Sequence, residues 1–148
     1  MTIATALSGY LSTALATMTA PTAAEVRAGE PDVVNLPLVA YWYTGTKTWE
    51  ANTLSVTQEL SCWHVRIYVP VSARFTPIDG GVEGWIETLV GAIRAQLFGN
   101  VAMGGAATGG GLDIGDATSG WAQVGQQLCR VVDMDLEVML AAVHTISH

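Results

Sequence analysis

Thr53 to Val71 reads TLSVTQELSCWHVRIYVPV, nineteen residues dominated by β-branched, aromatic and aliphatic side chains. Such a run reads as strand. A straight strand of that length would reach about 60 Å at ~3.3 Å per residue, too long for the core of a small domain. Its alternation also has a defect. Leu54, Val56 and Leu60 occupy even positions, whereas Trp63, Val65, Ile67, Val69 and Val71 occupy odd ones. The apolar face changes sides near Ser61-Cys62, which predicts a bulge, a sharp bend or two strands, or an arm reaching beyond the core.

The rest of the chain supplies what such a run can pack against. Ile3, Leu7, Tyr10, Leu11, Ala14, Leu15 and Met18 recur at helical spacing, with Thr2 as N-cap and Pro21 beyond the end. A second helix is predicted over Val82–Phe98, with Trp85, Ile86, Leu89, Val90, Ile93 and Leu97 on one stripe and Gly99-Asn100 as its stop. Glu25–Asn35 reads as a charged loop. Leu36–Tyr43 (LPLVAYWY) reads as a strand whose Pro37 marks an edge or a beginning, and Thr44–Lys47 reads as a turn. A short apolar segment starts at Trp121. Gln127–Ala142 alternates cleanly, with Leu128, Arg130, Val132, Met134, Leu136, Val138 and Leu140 on one face and Asp133, Asp135 and Glu137 on the other. Helices interspersed with long alternating strands predict an α/β (α+β) class: a twisted mixed or antiparallel sheet flanked by an N-terminal and a central helix, in one domain spanning 1–148.

Half of the residues are hydrophobic and only 13% are charged, against about 25% in an ordinary domain. The segment 1–24 has no charge but is interrupted by Thr, Ser, Gly and Pro and lacks a basic n-region, so neither a cleaved signal nor a membrane span is expected. Burial against other subunits accounts better for the missing charge. The net charge is −7, and the six basic residues form no patch, which argues against nucleic-acid binding. Cys62 and Cys129 both sit in strand-like runs and read as small buried hydrophobes, with a bridge between paired strands as the alternative.

Candidate chemistry is sparse. Asn100–Gly111 (NVAMGGAATGGG) contains five glycines, but it follows a helix C-terminus, where the dipole repels phosphate, and it has no lysine for a Walker-type loop. It reads as a pliable connection that orders only against a neighbour. Asp133, Asp135 and Glu137 share a strand face, with Asp113 and Asp116 upstream. Such a row could hold a hard cation or serve acid–base chemistry, but it reads first as a solvated face or one paired with a neighbouring chain. His64 reads as structural, and His144 with His148 as a tail pair without further ligands. No GxSxG elbow or CxxC pair occurs. No catalytic, cofactor or metal residue is therefore assigned.

RAGEPDVVNLPLVAYWYTG at Arg27–Gly45 and WHVRIYVPV at Trp63–Val71, ahead of VEGWIETLVGAIRAQL at Val82–Leu97, resemble the tail terminator (tail completion) proteins of long-tailed bacteriophages. The resemblance covers most of the chain and rests on order and hydrophobic pattern. It implies a non-enzymatic, ring-forming α/β subunit without cofactor, a homo-hexamer that caps the tail tube, ends its polymerisation and meets the head–neck connector. It also implies residence in the virion at the head-proximal end of the tail, after assembly in the host cytoplasm, with DNA passing through the lumen; the net charge of −7 is compatible with a lumen that repels the duplex. Subunit and partner contacts would map onto Leu36–Tyr43, Thr53–Val71 and Gly104–Asp116, with Tyr41, Trp42, Tyr43, Lys47, Trp49, Trp63, Gly104, Gly110, Asp113 and Asp116 as candidates. Another neck or tail tube component is the alternative, and a small carboxylate or metal enzyme a weaker one.

Overall fold

A computed structural model describes residues 2–18, 24–51, 56–71, 81–107, 111–140 and 143–144; of residues 49–51, 56–57 and 143–144 it describes the backbone alone. The order is α1 (Ile3–Ala16), β1 (Glu25–Ala28), β2 (Leu38–Ala51), β3 (Val56–Pro70), α2 (Gly81–Phe98), β4 (Leu112–Ile114), β5 (Thr118–Val124), β6 (Gln127–Met139) and β7 (Val143–His144). The strands form one mixed sheet in the order β1-β2-β3-β6-β4. β5 follows β4 along the same side of β6, and β7 adds to the far end of β3. Only β1 and β2 run parallel. This is the α+β class that the pattern of elements predicts.

Both helices lie on one face of the sheet. Thr2 caps α1 by accepting a hydrogen bond from the Thr5 amide at 3.1 Å, satisfying one of the orphan donors of the first turn. The α1 stripe of Ala6, Leu7, Leu11 and Ala14 and the α2 stripe of Trp85, Ile86, Leu89, Ile93 and Leu97 are buried. They close over Val39, Tyr41, Val65, Ile67, Val69, Val132, Met134, Leu136 and Val138, the residues that strand alternation turns toward them. Burial of this kind contributes about 25 cal/mol per Å² of apolar surface.

The long run forms one strand rather than the predicted bend or pair. β3 pairs with β6 without interruption from Leu60 opposite Met139 to Pro70 opposite Cys129. The irregularity lies in its other neighbour. Tyr43 faces Trp63 and Gly45 faces Cys62, so Thr44 is an extra residue in β2. The predicted turn at Thr44–Lys47 is therefore a β-bulge inside a strand, with Gly45 at φ 136° taking a conformation open to glycine. The change of apolar face in β3 has another cause. Its odd positions from Val65 to Val69 lie under the helices, whereas below Ser61 no described side chain of the strand belongs to a core cluster.

The segment Glu25–Asn35, predicted as a charged loop, instead holds β1 and an anchor. Parallel neighbours ordinarily need a long crossover, but β1 is only four residues long, and residues 29–37 suffice to return across the other face of the sheet. There Val34 is buried with Leu38, Ala40, Tyr68, Cys129 and Val131 in a second, smaller core. β6 is consequently buried on both faces near its start, which its single-faced alternation did not reveal. Cys129 lies opposite Pro70, eight residues along β3 from Cys62; both thiols are free, and the alternative of a bridge is excluded by register.

Candidate interaction surfaces

Beyond the patch covered by Val34, the open face of the sheet is polar. The bulge decides part of its membership. Before Thr44 the odd positions of β2 face the helices; after it, Gly45 and Lys47 share the open face with Cys62 and Leu60, their partners in register. Trp42, Lys47, His64, Arg66, Asp133, Asp135 and Glu137 thereby come together from three adjacent strands.

Their charges are paired within the chain. His64 lies between two aspartates, its Nε2 2.6 Å from Asp133 Oδ1 and its Nδ1 2.7 Å from Asp135 Oδ1. Arg66 Nε donates to the same Asp133 oxygen, and Lys47 pairs with Glu137. Partial burial alone would raise the Asp133 pKa, but the hydrogen bonds from Arg66 and His64 outweigh it and hold the carboxyl below its ordinary range. Asp133 in turn raises the Arg66 guanidinium, and burial pushes the Tyr68 phenol up. Trp42 stacks on the His64 ring at 4.8 Å between centroids, while the Arg66 guanidinium lies 5.8 Å from the Trp42 ring and 5.7 Å from Tyr68. The acidic row of β6, read as solvated or paired with a neighbour, is instead largely neutralised by β2 and β3. Among the described residues no three His, Cys, Asp or Glu side chains converge to hold a metal ion.

Beside this cluster, at the bulge, lies an open groove of about 400 Å³ that includes Gly45, Lys47, Cys62, Trp63, Asp135 and Glu137. On the helix side of the same stretch, Trp63 contacts Tyr41 and Tyr43 at 6.3 and 5.4 Å between ring centroids. Its indole N–H donates to Ser61 Oγ at 2.8 Å. Tyr41 is buried, but Tyr43 is 52% exposed. Past this aromatic root, β2 and β3 continue as a hairpin to Ala51 and from Val56. The backbone of Trp49 lies in that arm, opposite Gln58.

The candidates thus divide. Trp42, Lys47 and Asp113 share the open face; Tyr41, Tyr43 and Trp63 share the helix side; Gly104 and Asp116 lie elsewhere, and Gly110 lies outside the described residues. The glycine stretch is more anchored than its composition predicts. Met103 and Ala107 are buried in the main core, and Met103, Gly104 and Gly105 take left-handed φ values of 49°, 65° and 93° in a tight 3-10 turn. Met103 and Ala107 fix residues 100–107 against the main core, while residues 108–110 of the stretch lie outside the described residues.

A further surface had almost no sequence signal. Arg130, in the apolar row of β6, forks onto Glu83 of α2, with Nε–Oε1 2.9 Å and Nη2–Oε2 3.2 Å, and donates to the Gly120 carbonyl. Its guanidinium lies 5.3 Å from the ring of Trp121, which is 62% exposed. An arginine within an otherwise apolar row was the only hint. No protein-family model matches the chain, and no curated protein matches it. No helix of the described residues is long and apolar enough to cross a membrane.

Proposed function

We propose that the chain is a structural subunit of a phage tail, of the terminator type. Six copies form a ring on the head-proximal end of the tail tube, end its polymerisation, and offer the opposite side to the head–neck connector. The DNA passes through the lumen without sequence-specific contact, and the ring takes its place in the virion after assembly in the host cytoplasm. The observation that carries this reading is the β2–β3 hairpin. Its strands are 14 and 15 residues long, far above the usual five or six. Its distal part contributes no described side chain to either core. Length without a core suits an arm that finds its packing on another subunit. A sheet flanked by helices is the architecture that the resemblance implies, and low overall charge suits a subunit covered by others.

Electron microscopy with mass photometry of the purified protein tests the proposal. A single closed ring of discrete mass with a central pore is expected. Open fibres would indicate a tube subunit instead, and a monomer at micromolar concentration would overturn the assembly altogether.

A further inference from the structure

The two edges of the sheet carry patterns that fit one another. β1 at one edge and β4 at the other each pair with a single strand. Each therefore presents an outer row of backbone groups that no described strand occupies. Register assigns their side chains to faces. Arg27 lies opposite Ala40 on the open face, and Val26 lies opposite Val39 on the helix face. Across the sheet, Asp113 lies opposite Glu137 on the open face, while Leu112 and Ile114 lie opposite Val138 and Leu136 on the helix face.

The charges at these edges are unspent. Lys47 and Arg66 pair with acids, Arg130 with Glu83, and Arg94 donates to the Gly115 carbonyl at 2.9 Å. Arg27 alone among the described lysines and arginines is without such a partner. Asp113 is exposed and makes no hydrogen bond or ion pair; it lies within the field of Lys47, whose ammonium is already bonded to Glu137.

We propose that β1 of one copy docks beside β4 of the next, Arg27 against Asp113, so that the sheet continues from subunit to subunit. This rests on the reading of the chain as a ring subunit and names the contact that would build the ring. Directly opposite residues of neighbouring strands share a face. Setting Arg27 opposite Asp113 therefore sets Val26 and Ala28 opposite Leu112 and Ile114, whether the strands run parallel or antiparallel. Glu25 then falls opposite Gly111 in the parallel case and Gly115 in the antiparallel one, so no acid is placed directly across from it. The contact joins two different patches. Each added copy leaves one of each free until the ring closes, as a heterologous interface requires. With strands of four and three residues one such contact is weak, and closure of the ring adds the avidity that a single pair lacks.

Charge reversal of the full chain tests the contact by mass photometry. Arg27→Glu alone and Asp113→Arg alone are expected to remain monomeric at concentrations where the unmodified chain forms rings, an association weakened at least about tenfold by a like-charge pair. The double variant restores rings. A one-to-one mixture of the two single variants also restores them, because each supplies the edge that the other needs, in alternation. Circular dichroism melts of the single variants matching the unmodified chain establish that the fold is intact. Rings formed by the single variants as readily as by the unmodified chain would overturn the edge contact while leaving the ring standing. So would a double variant and a mixture that both stay monomeric. An unmodified chain that is monomeric throughout would overturn the ring itself, and the contact with it.

Discussion

The two faces of this sheet are built from the same strands by different physics. On the helix side, Val65, Ile67, Val69, Val132, Met134 and Leu136 are closed over by α1 and α2, and stability comes from apolar surface removed from water. On the open side beyond Val34, the equivalent positions are Trp42, His64, Arg66, Asp133 and Asp135, ordered by hydrogen bonds and ring stacking at the margin of solvent. Buried apolar contact is strong and non-directional. Half-exposed ion pairs are weak but specify geometry. The helix face holds the fold together, and the open face sets which charged groups of the three strands meet.

Substitutions on each face can break that contrast. Leu89→Ala, in the fully buried stripe of α2, should show the largest effect, a loss of about 2–5 kcal/mol by chemical denaturation. Next comes Gly45→Ala. A side chain at φ 136° strains the bulge, with an expected cost of about 1–2 kcal/mol. Because the bulge decides which face Lys47 occupies, this variant should also disturb the Lys47–Glu137 pair, visible as altered amide exchange in the hairpin.

Asp133→Asn leaves the shape of the open face but weakens the acceptor shared by His64 and Arg66, and about 1 kcal/mol should be lost at neutral pH. The sign follows from the lowered Asp133 pKa. A carboxyl held below its unfolded value, about 3.9, stabilises the fold above that value and loses the contribution as pH falls through the lower, folded one. Acid denaturation of the Asn variant should therefore show a shallower decline below about pH 4 than the unmodified chain. A loss as large as that of Leu89→Ala would erase the distinction between the faces. The smallest effect belongs to Asp135→Ala, whose carboxylate is 78% exposed. It should cost at most about 1 kcal/mol and leave the Arg66–Asp133 pair in place; equal damage from Asp135 and Asp133 would mean that the cluster acts as one unit.

Sequence alone determined the elements whose signals are local. The α1 stripe and its Thr2 cap, the α2 stripe with its Gly99 stop, and the alternation of β6 were legible because a helix or strand repeats its buried positions at a fixed spacing, whatever surrounds it. From these the α+β class followed. The tertiary structure alone decided what depends on who sits opposite whom. His64 and Asp133 are 69 residues apart and become partners only through the β3–β6 register. Thr44 reads as a turn residue until β3 runs on past it. Val34 becomes an anchor only because β1 is short enough for the chain to double back across the sheet. Met103 pins a glycine-rich stretch because a core lies beneath it. Spacing along the chain carries the first kind of information; the second arises from register, and one extra residue in β2 was enough to move Lys47 to the other face.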